Sequence, residues 1–233
     1  MTGNSPAIFR PGVLRFAAVP GSYNAIVGTF PEGFVPDLRV GTIPAVILWR
    51  SSSEIAIQIP WEVEPDDPGT PNLTPIMLGT PEPLWEQVAG SGVYSVAGAF
   101  FPIAVAGLRV AYYALHGDWS GPITPANPAS RGELIHIYGT GYGPVDSKVP
   151  TGKPTPSDGP HRISTLCVWK ARSEQNETSR TINVAFAGLA PGTTGIYQFD
   201  IRIPSDWPSS VFNAFCEIAP GLVLPTAPIF PVL

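Results

Sequence analysis

Ile182–Pro204, INVAFAGLAPGTTGIYQFDIRIP, reads as two strands joined by a turn. Val184 and Phe186 alternate with Asn183 and Ala185 before GLAPGTTG breaks the pattern. From there on, Phe199, Ile201 and Ile203 face one way and Gln198, Asp200 and Arg202 the other. Alternation with period two marks a strand with one buried and one wet face. The turn has its own chemistry: Pro191 fixes φ, and Gly188, Gly192 and Gly195 accept positive φ. A strand–turn–strand unit of this kind points to an all-β fold.

Composition agrees. The 233 residues leave room for two domains of sandwich size or one large one. Pro (29) and Gly (24) punctuate the chain without a collagen-like period. With 44% hydrophobic residues the same chain can fill a core, so disorder is the poorer reading. Many short strands with Pro and Gly at the corners satisfy both facts. Charged residues make up only 13%, about half the usual share. A net charge of −5 without a basic cluster argues against nucleic acid as a partner. No run approaches the ~18 uninterrupted apolar residues of a membrane span. The start, MTGNSPAIFRPGVLRF, lacks a basic n-region and does not read as a signal peptide.

The chain also repeats itself. IAIQIPWE (Ile55–Glu62) and FDIRIPSD (Phe199–Asp206) correspond at an offset of 144 residues, each after a strand ending in an aromatic, Trp49 and Phe186. PGVLRFAA (Pro11–Ala18) corresponds loosely to RGELIHIYG (Arg131–Gly139). So long a period means two similar domains rather than a solenoid. The expected boundaries are 1–90 for a first β-sandwich, 91–130 for a connecting hairpin packed on the second domain, and 131–233 for a second sandwich. In the first half Val40, Ile43, Val46 and Leu48 are core candidates, Ile55, Ile57 and Ile59 share a face, and Leu84–Val88 suggests a short helical turn.

Catalytic chemistry is poorly signalled. His116, His136 and His161 fall in a turn, a strand and a loop, with no GxSxG elbow nearby. Asp118, two residues after His116, suggests an Asx-stabilised turn. The acidic run Glu62, Glu64, Asp66, Asp67 offers hard oxygen ligands for calcium but lacks the spacing and glycine of a dedicated loop, and reads as a solvated corner. Two distant cysteines and scattered histidines match no zinc spacing. No catalytic residue, cofactor or metal is therefore expected. Asn72-Leu73-Thr74 and Asn176-Glu177-Thr178 fit the glycosylation acceptor pattern, both in expected loops. Trp61, Trp85, Trp119 and Trp207 lie near turns, where a sugar-binding sandwich would carry stacking platforms; Trp61 and Trp207 follow the two repeated strands and read as packing residues.

Phe186–Pro204, Asn127–Pro156 (NPASRGELIHIYGTGYGPVDSKVPTGKPTP) and Glu54–Val63 (EIAIQIPWEV) resemble a bacterial C-terminal domain family abundant in Acidobacteria of the Solibacter type. The resemblance is weakest at the extreme N-terminus and at Leu166–Arg180. It implies immunoglobulin-like or TIG-like β-sandwiches at the ends of secreted and surface proteins, and it brings no catalytic residues. The expected fold is two tandem immunoglobulin-like β-sandwiches joined by a packed hairpin segment. The expected function is a non-enzymatic extracellular or cell-surface module, structural or adhesive, with a carbohydrate-binding module as the alternative. In an exported protein Cys167 and Cys216, both in strand-like runs, become a disulfide across the second sandwich. The apolar, proline-punctuated ends suggest assembly into a homo-oligomer or polymer. Ile8 and Phe9, or Ile229 and Phe230, of one copy would add as a strand to the sheet edge of another.

Overall fold

The computed structural model describes residues 10–14, 19–30, 37–40, 42–63, 73–77, 84–87, 99–100, 103–104, 111–112, 114–147, 149–164, 167–173, 176–208, 210–219, 222–223 and 230–233. Among them every regular element is a β-strand, strand pairing is antiparallel, and no helix occurs.

The first unit contains β1 (Arg10–Leu14), β2 (Tyr23–Thr29), β3 (Arg39–Val40), β4 (Ile43–Pro44), β5 (Val46–Arg50), β6 (Glu54–Gln58), β7 (Leu73–Met77) and β8 (Leu84–Gln87). They form two sheets, ordered β1-β2-β6-β5 and β4-β3-β7-β8. Leu84–Gln87, expected as a helical turn, is a strand paired with β7. Ile26, Ile55, Ile57 and Ile59 meet Leu38 and Val40 in one core. Around the start of β5 it is Ala45 and Ile47, with Ile43, that pack on this core, rather than Val46 and Leu48. A bulge between Ile47 and Trp49 shifts the alternation there, because an inserted residue reverses which side chains face inward.

The second unit takes strands from both remaining segments. β9 (Ala99–Phe100), β10 (Ile103–Ala104), β11 (Ala111–Tyr112) and β12 (Ala114–His116) precede β13 (Leu134–Thr140), β14 (Val168–Ser173) and β15 (Asn176–Thr181). β16 (Asn183–Leu189), β17 (Tyr197–Arg202), β18 (Ser210–Ala219), β19 (Leu222–Val223) and β20 (Phe230–Val232) complete it. One sheet runs β12-β13-β17-β16, the other β15-β14-β18-β19, with β20 also on β18. Ile135, Ile137, Phe199 and Ile201 of one sheet share a core with Trp169, Ala171, Phe212 and Ala214 of the other. Residues 91–130 supply an edge to this unit: β12 lies along Ile135–Ile137 and β9 along Gly139–Thr140, both on the side of β13 away from β17. The β10–β11 pair falls between them in the chain.

The repeat extends to single hydrogen bonds. Strand order, taken in chain sequence, is the same in both units. β6 and β17 correspond as read from the sequence, and the bulge recurs at the same place. Ile47 and Trp49 flank the bulge opposite Ile57 and Ala56, and Val184 and Phe186 flank it opposite Ile201 and Asp200. The other correspondence moves. The counterpart of Glu133–Thr140 is Ser22–Thr29, not Pro11–Ala18, since Ile26 opposes Ile55 as Ile137 opposes Phe199. Gly21 N donates to Ile59 O at 2.8 Å and Gly132 N to Ile203 O at 3.0 Å, from turns with φ of 78° and 77°.

The two units are joined through main-chain and buried side-chain groups. Tyr23 N donates to Gly195 O (2.9 Å), and Thr140 Oγ1 donates to Tyr23 O (2.8 Å). The buried Gln58 accepts from Gly152 N (2.6 Å) and donates to Gly21 O (3.0 Å). Trp61 N donates to Thr151 Oγ1 (3.0 Å), while the indole of Trp61 packs against the core of the second unit. Gly195 has φ +70°, and a Cβ there would stand 2.5 Å from Tyr23 N, so the junction requires glycine. Trp61 is the large apolar side chain that the first unit packs on the core of the second. Trp61→Ser should therefore cost about 2–4 kcal/mol at the junction and split one cooperative unfolding transition into two. Differential scanning calorimetry reads this directly, and a single transition at the parent temperature would refute it.

Cys167 and Cys216 form a disulfide with a Cα–Cα distance of 5.6 Å. Trp169 opposes Cys216 in the β14–β18 register, so the bridge staples neighbouring strands of one sheet instead of crossing the sandwich as expected. At the C-terminus, β20 pairs Phe230 with Phe212 and Val232 with Ser210, and Leu233 N donates to Ala129 O (2.9 Å). Phe230, expected to be available for exchange between copies, is thus paired within its own chain. Ile8, Phe9 and Ile229 lie outside the described residues.

Candidate functional site

The outward face of β13, β17 and β16 carries a polar group of side chains at the positions that the alternation leaves facing away from the core. His136 Nδ1 lies 2.7 Å from Asp200 Oδ1, and Gln198 Nε2 donates to the same oxygen at 2.8 Å. Tyr138 donates to Gln198 Oε1 at 3.3 Å. His136 Nε2 lies 3.3 Å from the carbonyl oxygen of Gly117. Over the imidazole lies Trp119, stacked with ring centroids 4.2 Å apart and planes 20° from parallel.

Trp119 is held there by its turn. His116 N donates to Gly121 O (3.0 Å), Trp119 N donates to His116 O (3.0 Å), and Ser120 N donates to Asp118 Oδ1 (2.9 Å). The Asx bond expected of Asp118 is this last one. The Ser120 hydroxyl first, and the Ser120 N–H second, hold the Asp118 carboxyl below its usual range. Trp119 has φ 62°, the only non-glycine with positive φ among the described residues. An L-residue in this region costs about 1–2 kcal/mol, which the turn and the stack offset. Even so, 58% of Trp119 remains exposed.

A cleft of about 540 Å³ opens beside this group, lined by Trp119, Tyr138, Phe186, Gln198 and Asp200 and rimmed by Gly159, Pro160 and Pro191. Arg162 stands 5.4 Å over the Phe186 ring. Thr193 also lines the cleft, but its hydroxyl donates to Ala190 O (2.7 Å). Burial, and secondarily the charge of Asp200, push the Tyr138 phenol up to about 12. It is therefore a neutral hydrogen-bond donor at any physiological pH. Both folded and unfolded chains keep this proton below the ordinary phenol value of about 10. Between there and about 12 the unfolded chain loses it while the folded chain does not, so stability falls as pH rises through that window. Tyr138→Phe should flatten this alkaline loss relative to the parent in denaturant titrations across the same pH range. An unchanged slope would show that the phenol does not titrate as described.

The sequence-selected residues fall in different places. Trp207 is buried in the second core, and Trp61 belongs to the junction. Trp85 has no described side chain, and Trp119 lines the cleft. His116 is paired with Glu133 (Nδ1–Oε1 2.6 Å), and His161 Nδ1 faces the Ser147 carbonyl. Glu62 accepts from Thr151 Oγ1 at 2.8 Å and so braces the junction; Glu64, Asp66 and Asp67 lie outside the described residues. Among the described residues no three His, Cys, Asp or Glu side chains converge on a metal-sized site. Thr74 and Asn176–Thr178 of the acceptor patterns lie in β7 and β15 rather than in loops.

The pairing of His136 with Asp200, 64 residues apart, was not read from the sequence. Its signal lies in the repeat, where Ala25 and Ala56 occupy the corresponding positions. Comparison with protein-family models, with curated proteins and with solved structures finds no match to this chain.

Proposed function

We propose that the chain is a non-enzymatic extracellular module, two immunoglobulin-type β-sandwiches in tandem that act as a structural or adhesive part of a secreted or surface protein. The observation that carries this reading is the strand order. β1-β2-β6-β5 and β4-β3-β7-β8 have the order of A-B-E-D and C′-C-F-G sheets, and the second unit repeats both. The disulfide supports export, since such bonds persist in oxidising compartments. No described helix is long and apolar enough to cross a membrane. The non-enzymatic part is supported by the cleft, where His136 Nδ1 is held against Asp200, Nε2 faces the Gly117 carbonyl oxygen, the ring is covered by Trp119, and the Thr193 hydroxyl is committed. None of these groups is poised to activate a nucleophile.

A module of this kind should behave as one rigid particle. Small-angle scattering combined with light scattering tests it: the expected result is a single conformation of the unit pair at every concentration, with any oligomer built from that pair. Two units tumbling independently in NMR relaxation would remove the basis for a structural role. Assembly through the C-terminal strand would require β20 to leave β18. A chain ending at Thr226 should therefore lose stability as well as any self-association.

A further inference from the structure

We propose that the cleft beside Trp119 is a binding site for neutral saccharides, a function beyond the structural role above. The internal repeat supplies the first argument, because it shows what the fold needs at these positions. Strand register places His136, Tyr138, Phe186, Gln198 and Asp200 where the first unit has Ala25, Val27, Trp49, Glu54 and Ala56. Ala25 and Ala56 are fully buried, and the first sheet forms without a buried imidazole or its carboxylate partner. The polar set of the second unit is thus an addition to the scaffold.

The second argument is the chemistry of the addition. Asp200 Oδ1 already accepts from His136 and Gln198, which fixes the carboxylate, while Oδ2 has no partner among the described residues. Gln198 is oriented in turn by the Tyr138 hydroxyl. A fixed carboxylate oxygen next to an amide and a phenol is a donor and acceptor array suited to adjacent hydroxyl groups. The indole of Trp119 and the ring of Phe186 add electron-rich faces of the kind that the polarised C–H bonds of a pyranose stack against. A volume of about 540 Å³ lies within the usual range for small-ligand clefts.

The third argument is charge. Among the described residues Asp200 is the one formally charged side chain lining the cleft, and Arg162, the cation beside it, sits over the Phe186 ring. An anionic ligand would face the carboxylate, and a purely apolar one would desolvate Asp200 Oδ2 without giving it a partner. A neutral, hydroxyl-rich ligand meets both demands.

The test titrates the intact protein with soluble neutral oligosaccharides (cello-, xylo-, manno- and malto-oligosaccharides) and with anionic oligogalacturonate, by calorimetry and NMR. The expected result is saturable binding of at least one neutral series. Trp119→Gly should weaken it about tenfold or more while the fold is kept, because glycine takes φ 62° without strain. Asp200→Ala should weaken it as well. Trp49→Ala, at the corresponding position of the first unit, should leave it unchanged. Failure of every neutral series to bind at millimolar concentration overturns the proposal. So does preference for oligogalacturonate, or binding that survives Trp119→Gly. Saturable binding of an unglycosylated peptide at Trp119 in place of any sugar would overturn it too.

Discussion

Phe199→Asp is expected to leave the second unit unfolded at room temperature. Phe199 is fully buried at the centre of its core, its ring centroid 4.5 Å from that of Tyr142 and 4.9 Å from that of Trp169. Truncating a buried phenylalanine costs about 3–5 kcal/mol through lost transfer energy and the cavity left behind. The substituted carboxylate adds a desolvation cost with no partner to offset it. Together these rival the whole stability of a typical domain, about 5–15 kcal/mol. Ile201 lies two residues on, on the same face and also fully buried, so Ile201→Asp should do the same. Ile201→Val, which removes one methylene, should cost only about 0.5–1.5 kcal/mol. Urea unfolding monitored by near-ultraviolet circular dichroism separates these outcomes. A Phe199→Asp protein melting within a degree or two of the parent would mean that β17 faces the other way.

Reduction of the disulfide should have the second largest effect. The bridge spans 49 residues, and closing a loop of that length stabilises by about 4 kcal/mol in the chain-entropy model. Cys216 is buried, so the native protein should also shield its sulfur from reagents. Intact mass after alkylation without reductant is expected to show no modified cysteine. After reduction under denaturing conditions it should show two. The midpoint of urea unfolding should fall on reduction by an amount that, multiplied by the slope, comes to a few kcal/mol. Two freely alkylated thiols in unreduced native protein would remove both the bridge and the argument for export that rests on it.

The all-β class and the direction of β17 were legible because period-two alternation is a local property. Phe199, Ile201 and Ile203 are each fully buried, as their spacing required. Alternation failed around the start of β5, where a bulge puts Ala45 and Ile47 on the core; a bulge leaves no mark in apolar periodicity when every residue around it is apolar. The repeat was visible at β6 and β17. At the other strand the true counterpart is short: Ile26–Thr29, IVGT, matches Ile137–Thr140, IYGT, while the residues before it differ. The cleft was the least legible part. His136 and Asp200 meet only through the register of β13 on β17, and the ring above His136 arrives from a turn 17 residues upstream in the chain. Nothing in any one of these segments announces the others.

The junction also decides whether such units can propagate. A head-to-tail contact that leaves the same docking surface free on its last member builds an open-ended array; one that alters this surface terminates it. Here the first unit docks the second with Trp61 and Gln58. The corresponding residues of the second unit are Ser205, which is exposed, and Arg202, which donates to Gly132 O at 2.8 Å. A third unit arriving by the same route would find no indole to cover and a guanidinium in place of a neutral amide. The second unit therefore does not repeat the surface by which the first one docks, and a neighbour would meet it through a different set of contacts.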